Sequence, residues 1–346
     1  MTQEPIIALD IGGGTQDILL YDPSDSMENA VKLVVPSPTV IAARRVARAT
    51  ELKKNVFLSG RVMGGGSISR AVKNHLKAGY RVYSLPDPAL TMHDNLDKVA
   101  GMGVEIVDKI PDDDLIEIIL GDLDLESLAR ALAEFEVAMP GTLALALQDH
   151  GFSPGFSNRL TRFRQWQRFL DNGGRMKDLL FDHVPEGLSR WSAAATVAPH
   201  AIFMDTCSAA LWGAILDDYA CQHLSKGLVV INAGNEHTVA FLVRNDEVWG
   251  VYEHHTSLVN PEMLTDQMQR FANGVLTHEE VFDQWGHGVA VRPGYADIAP
   301  FGPVVITGPH RQIAQHLGHL AAPYGEMMLS GCFGLIEAVR QVWPDR

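Results

Sequence analysis

The chain has 346 residues, 46% of them hydrophobic and 20% charged, with a formal net charge of −14. This composition excludes disordered, collagen-like and low-complexity classes, and at roughly 100–200 residues per domain the length points to two domains or three. So acidic a surface argues against nucleic-acid binding, which needs a basic stripe, and against docking on anionic lipid. Cys207, Cys221 and Cys332 form no disulfide framework, which fits a reducing cytoplasm. The start, MTQEP, has neither a basic nor an apolar leader region, and no apolar run approaches the roughly 18 residues of a membrane span. A cytoplasmic α/β protein is the expectation.

In chain order, the apolar runs 6–9 and 18–21 are separated by Asp10-Ile11-Gly12-Gly13-Gly14-Thr15-Gln16-Asp17. That segment is too short for a helix and reads as the glycine turn of a β-hairpin. A strand over 55–59, a glycine loop over 60–67, a helix over 68–77 and a strand over 80–85 follow. The pattern then predicts a helix over 88–100, strands over 104–107 and 115–120, and a helix over 125–137. A strand over 142–147 ends at Gln148-Asp149-His150-Gly151, and an arginine-rich aromatic helix covers about 157–172. A strand over 201–204 enters Asp205-Thr206-Cys207 and a small-residue helix over 208–217. The runs 228–232 and 238–243 flank Ala233-Gly234-Asn235-Glu236-His237 and repeat the plan of the first hairpin. A strand over 304–307, a turn over 308–310 and helices over 311–319 and 332–342 complete the chain. Such alternation implies a parallel or mixed sheet with helices on its faces.

Two glycine hairpins invite a phosphate between them, because a turn without side chains lets backbone N–H groups approach an anion. Thr15 and Thr238 add hydroxyl donors, and Asp10 stands where it could hold Mg2+ through water. The 60–67 loop has phosphate-loop spacing but carries Gly66 in the lysine position. A plain turn opening a helix stands there against a site for a carboxylate or phosphate. Asp149-His150 follows a strand whose carboxyl end should line a cleft, and general base and turn cap weigh equally. Asp205 suits a helix N-cap, and Cys207 would sit in the first turn of that helix. His254-His255 and His316 with His319 lack a third ligand, so surface histidines are expected rather than zinc. Arg159, Arg162, Arg164, Arg168 and Trp166 make a basic helix: a solvated face or an internal salt-bridge partner, with an acidic ligand or partner subunit as the alternative.

LDIGGGTQDILLYD (9–22) resembles a phosphate loop of the actin, heat-shock-chaperone and sugar-kinase superfamily of ATPases. MDTCSAALWGAILDD (204–218) is similar to its first connecting helix, and GLVVINAGNEHTVAFLV (227–243) falls where its second phosphate hairpin belongs. VVITGPHRQI (304–313) resembles its adenosine turn, and GCFGLIEAVRQ (331–341) its second connecting helix. More narrowly, the chain resembles a prokaryotic family named "putative pyruvate formate-lyase activating enzyme". An activase of the radical type needs three closely spaced cysteines, and their dispersal here leaves no iron–sulfur cluster expected.

The resemblance implies an α/β fold of two actin-like (ribonuclease H-like) domains around a nucleotide-sized cleft. The first domain would comprise 1–222 plus 331–346, with 41–140 as an inserted subdomain, and the second 223–330. ATP with Mg2+ is the implied ligand, the metal held by Asp10. Gly12, Gly13, Gly14, Thr15, Gln16, Asn232, Gly234, Asn235 and Thr238 would surround the phosphates, and Gly308 would face the adenosine. Asp149 or Asp205 would orient water or a substrate hydroxyl. The implied activity is an ATPase or small-molecule phosphotransferase acting on an unknown small molecule or client enzyme. One alternative is a non-hydrolysing regulatory protein using the same cleft; another is an ATP-dependent activator of a redox or radical enzyme. Asn232 in the place of an aspartate and Glu236 in the second turn favour the regulator, and Gly308-Pro309 has one glycine where the adenosine turn of the superfamily has two.

Overall fold

The computed structural model describes residues 4–344. The ends of the ranges 1–222 and 331–346, and the first three residues of the N-terminal segment read above, lie outside them. The strands are β1 (Ile6–Ile11), β2 (Thr15–Tyr21), β3 (Val31–Pro36), β4 (Asn55–Gly60), β5 (Val82–Ser84), β6 (Val104–Ile106), β7 (Leu115–Leu120) and β8 (Thr142–Leu147). They continue with β9 (Leu180–Phe181), β10 (Ile202–Met204), β11 (Leu228–Ala233), β12 (His237–Arg244), β13 (Glu247–His255), β14 (Gly288–Val291), β15 (Val304–Thr307) and β16 (His319–Leu320).

Two six-stranded sheets have the orders β3-β2-β1-β8-β10-β9 and β14-β13-β12-β11-β15-β16. They are variations on one plan. In each, an antiparallel three-strand meander (β1–β3, β11–β13) is extended by two strands parallel to its first member (β8 and β10, β15 and β16). This duplicated order is the α/β architecture that the resemblance implied. A separate parallel sheet, β6-β5-β4-β7, sits in the chain between β3 and β8.

β1 and β11 are buried at every position, as strands covered on both faces must be. Ile7, Leu9 and Ile11 join one core with Leu143, Leu145, Leu147 and Phe203, while Ile6 and Ala8 face the opposite core. That second core runs continuously into the other large sheet through Leu228, Val230, Val239 and Phe241. Helices Thr206–Ala214 and Ser330–Val342 belong to it and pack on one another. Helix Thr206–Ala214 is buried from Cys207 through Ala214, so it has no polar face, and its small residues suit a sandwiched position. No described helix is long and apolar enough to cross a membrane.

Several elements depart from the sequence expectation. The helix expected over 88–100 is two short ones, Pro86–Ala89 and Leu96–Gly101, because Asn95 caps the second by accepting from Asp97 N and Lys98 N. The helix expected over 311–319 is a 3-10 segment, Arg311–Leu317, followed by β16. The helix expected over 125–137 stops at Ala133.

Candidate functional site

Both glycine hairpins open onto one cavity of about 350 Å³. Each turn is closed the same way: Gly12 N–H donates to Thr15 O at 2.9 Å, and Gly234 N–H to His237 O at 2.9 Å. The strand registers place Asp10 opposite Asp17 and Asn232 opposite Val239. The two turns therefore correspond residue by residue, and the first carries a carboxylate pair where the second carries an amide and a valine.

Asp10 and Asp17 line the cavity, and the Oδ1 atom of each is buried without a hydrogen-bond partner among the described residues. Burial, and then repulsion by Asp17, holds the Asp10 carboxyl well above its ordinary range. Burial raises Asp17 to about 7. Arg190 is the one arginine or lysine among the residues described around the cavity, and it is already engaged. Its Nε and Nη2 donate to Asp122 at 2.7 and 2.8 Å, and its Nη1 to Gln148 O at 2.8 Å.

The other expected site residues divide into two groups. Gly12, Gly13, Thr15, Asp149, Asn232, Gly234, Asn235 and Gly308 line the cavity with Asp10; Gly14, Gln16, Thr238 and Asp205 do not. A methyl on Gly14 would lie 2.6 Å from Asn235 Nδ2, so the second turn covers it. Gln16 is half-buried. Thr238 is buried against the Thr256 hydroxyl at 3.0 Å. Asp149 accepts from Gly151 N at 2.8 Å, Arg190 N at 2.8 Å and Trp191 N at 3.1 Å. It thereby fastens the first turn of helix Ser189–Ala195. Burial raises its carboxyl, and the backbone donors oppose the shift.

Asp205 lies behind the wall as the N-cap of helix Thr206–Ala214, accepting from Cys207 N at 3.1 Å and from Arg162 Nη1 at 2.6 Å. Cys207 Sγ donates to it at 2.8 Å, and burial together with Asp205 pushes that thiol well up, so the helix N-terminus does not activate it. Of the basic helix, Arg162 and Trp166 face inward while Arg164 and Arg168 are exposed. Arg162 Nε and Trp166 Nε1 both donate to Glu253 Oε2, at 3.2 and 2.7 Å. Gln148 Nε2 at 3.0 Å and His237 Nδ1 at 2.9 Å meet Glu253 Oε1. Against the cost of burial, Arg162 and the neighbouring imidazoles keep the Glu253 carboxyl well below its usual range.

The 60–67 loop also reaches the cavity, through Val62 to Gly66. Helix Gly66–Lys77 begins there with no side-chain cap. Glu236 crosses to it from the second turn. A methyl on Gly66 would lie 3.4 Å from Glu236 Oε1, and one on Gly13 would lie 2.7 Å from Glu236 Cγ. A carboxylate therefore rests over a glycine turn and beside an uncapped helix N-terminus, surroundings that favour an anion.

Sequence reasoning missed a histidine group. Ligand atoms of His150, His237 and His287 all lie within 4.8 Å of one another. They come from the loop after β8, the start of β12 and the residue before β14, so no local spacing announces them. Burial lowers His255 to about 4 and His287 to about 3, and drives His150 well below its ordinary value.

Residues 63–313 match the family described as "Putative pyruvate format-lyase activating enzyme (DUF1786)". No curated protein matches the sequence. Among solved structures, the chain is similar to the ethanolamine utilization protein EutJ from Carboxydothermus hydrogenoformans, at 9% identity over 97% of this chain and 90% of that one, TM-score 0.34. It is also similar to a ROK family transcriptional regulator, a homolog of the E. coli MLC protein, at 9% identity over 98% and 72%, TM-score 0.33. The Aquifex aeolicus Ppx/GppA phosphatase aligns at 8% identity over 89% and 68%, TM-score 0.26.

Proposed function

The chain belongs to that DUF1786 family, and from the geometry of the cleft we propose that it binds a nucleotide through Mg2+, with little or no hydrolysis. The observation that carries the reading is the Asp10–Asp17 pair: two buried carboxylates, each with an unsatisfied oxygen, flanking a glycine turn with no free lysine or arginine among the described residues around the cavity. Such a donor set fits a hard divalent cation, which takes oxygen ligands and repays the burial of negative charge. When bound, Mg2+ would neutralise phosphate charge between the hairpins. Gly12, Gly13 and Thr15 bring backbone close to that space, and Gly234, Asn235 and Gly308 border it from the other sheet.

Weak hydrolysis follows from what is engaged elsewhere. Asp149 is held by three backbone amides and Asp205 by Arg162 and its own helix, so neither is free to take a proton from water. Asn232 and Val239 supply no second acid pair. A second reading, a regulator binding a different anion, is favoured by Glu236, whose carboxylate already rests in the anion position.

Calorimetric titration with Mg-ADP and a non-hydrolysable Mg-ATP analogue, with phosphate release followed for ATP, tests the proposal. The wild type should bind both, Asp10→Ala should weaken binding more than tenfold, and phosphate release should stay near the blank. Equal binding by Asp10→Ala would remove the metal from the site, and no binding by the wild type near a millimolar would leave the second reading.

A further inference from the structure

We propose that His150, His237 and His287 form a transition-metal site of the zinc class, at the seam between the two large sheets and separate from the oxygen pair at Asp10 and Asp17. The site does not rest on the nucleotide reading.

Position is the first argument. His150 is carried by the first sheet, while His237 and His287 are carried by the second. Their ring centroids lie 5.2 Å apart for His150 and His237, 5.5 Å for His150 and His287, and 4.7 Å for His237 and His287. Their ligand atoms fall within 4.8 Å of each other. Nitrogens around a tetrahedral zinc stand about 3.3 Å apart when the Zn–N bonds are about 2.0–2.1 Å. Ring rotation and a small side-chain shift close that gap.

The state of the three rings is the second argument. His287 is fully buried, and neither of its nitrogens has a hydrogen-bond partner among the described residues. A buried imidazole with two unmet nitrogens is costly, and a metal bond satisfies one of them. His237 meets Glu253 Oε1 through Nδ1, which leaves Nε2 for a metal. A carboxylate behind a ligating histidine is the usual outer partner of such sites, fixing the tautomer and ring orientation. Glu253 is anchored for that role by Arg162, Trp166 and Gln148.

The donor set is the third argument. Three imidazoles with no carboxylate among the ligands select zinc, cobalt, nickel or copper over magnesium or calcium. His150 and His237 both line the cavity, so a fourth position would open toward it. A metal there would join the two halves of the molecule and offer a Lewis acid to whatever the cavity holds.

Protein stripped with a chelator and titrated with Co2+ tests the site. The expected result is one equivalent of tightly held Co2+ with the intense visible bands of low-coordinate cobalt, displaced by Zn2+ and not by millimolar Mg2+. His150→Ala and His287→Ala should each weaken binding by more than the ten- to hundredfold that loss of an outer partner costs. Asp10→Ala should leave the bands unchanged. His287 is buried, so its variant is judged only if the metal-free form melts cooperatively; His150→Ala, at a half-buried position, supplies the independent answer. Absence of the bands in the wild type, their persistence in His150→Ala, or their loss in Asp10→Ala would each overturn the proposal.

Discussion

At the scale of single residues, the two hairpins differ in charge more than in shape. Asp10 corresponds to Asn232, Asp17 to Val239 and Thr15 to His237, so one turn keeps the acids and the other presents an imidazole. The acid pair carries a pH prediction. Burial raises Asp17 to about 7 in the folded protein, against an ordinary value near 4 in the unfolded chain. Between those values the folded state holds a proton that the unfolded state has released. The contribution is therefore fully present below about pH 4 and is lost as pH rises through about 7. Asp17→Asn should flatten this part of the metal-free stability profile, and saturating Mg2+ should oppose the loss in the wild type. Urea unfolding in chelator at pH 5 and pH 8 reads it, and an unchanged slope in Asp17→Asn would remove the assignment. At this scale the sequence disclosed the first turn well, because three glycines between apolar runs have few other uses. It did not disclose the histidine group, whose members meet only through the packing of the loop after β8, the start of β12 and the residue before β14. Nor did it separate the catalytic from the capping reading of Asp149, which three backbone partners now favour as a cap.

At the scale of elements, the most demanding contact is the crossing of helices Thr206–Ala214 and Ser330–Val342. A methyl on Gly213 would lie 1.8 Å from Ser330 O, and one on Gly334 would lie 2.0 Å from Ala209 O. The obstacle in both cases is backbone, which cannot swing aside as a side-chain tip can. Gly213→Ala and Gly334→Ala should each cost about 2–3 kcal/mol or more, at the upper end for overpacking. Urea denaturation measures this, and a loss below about 0.5 kcal/mol would mean that the helices are free to separate. The spacing of small and apolar residues made both helices visible in the sequence. Helix Pro38–Glu51 was not visible, because its buried positions are Thr39, Ala42, Val46 and Ala49. They have helical spacing but too little apolar contrast to stand out. β3 was equally quiet: it is an edge strand with no fully buried position, so its alternation is blurred. The 88–100 segment misled because Asn95 restarts the helix in the middle of an apparently continuous pattern.

At the scale of the whole molecule, the cleft is spanned by a buried linkage and an exposed one. The buried linkage is the Glu253 hub, which ties Arg162 and Trp166 on one side to His237 on the other. The exposed linkage is Glu236, reaching from the second turn over Gly13 to the N-terminus of helix Gly66–Lys77. A carboxylate at an exposed helix N-terminus gains about 0.3–1 kcal/mol at low ionic strength. An incoming phosphate has to displace that carboxylate and bear its repulsion. Glu236→Gln should therefore raise the affinity for Mg-ADP by up to about fivefold at low salt, since about 1.4 kcal/mol corresponds to tenfold. The Debye length falls to about 3 Å at 1 M salt, so most of the gain should vanish there. Titrating wild type and Glu236→Gln at both salt concentrations separates this charge effect from a change in cleft shape. A gain that survives high salt would make Glu236 a steric wedge, and no gain at either concentration would place the phosphates away from Gly13 and Gly66.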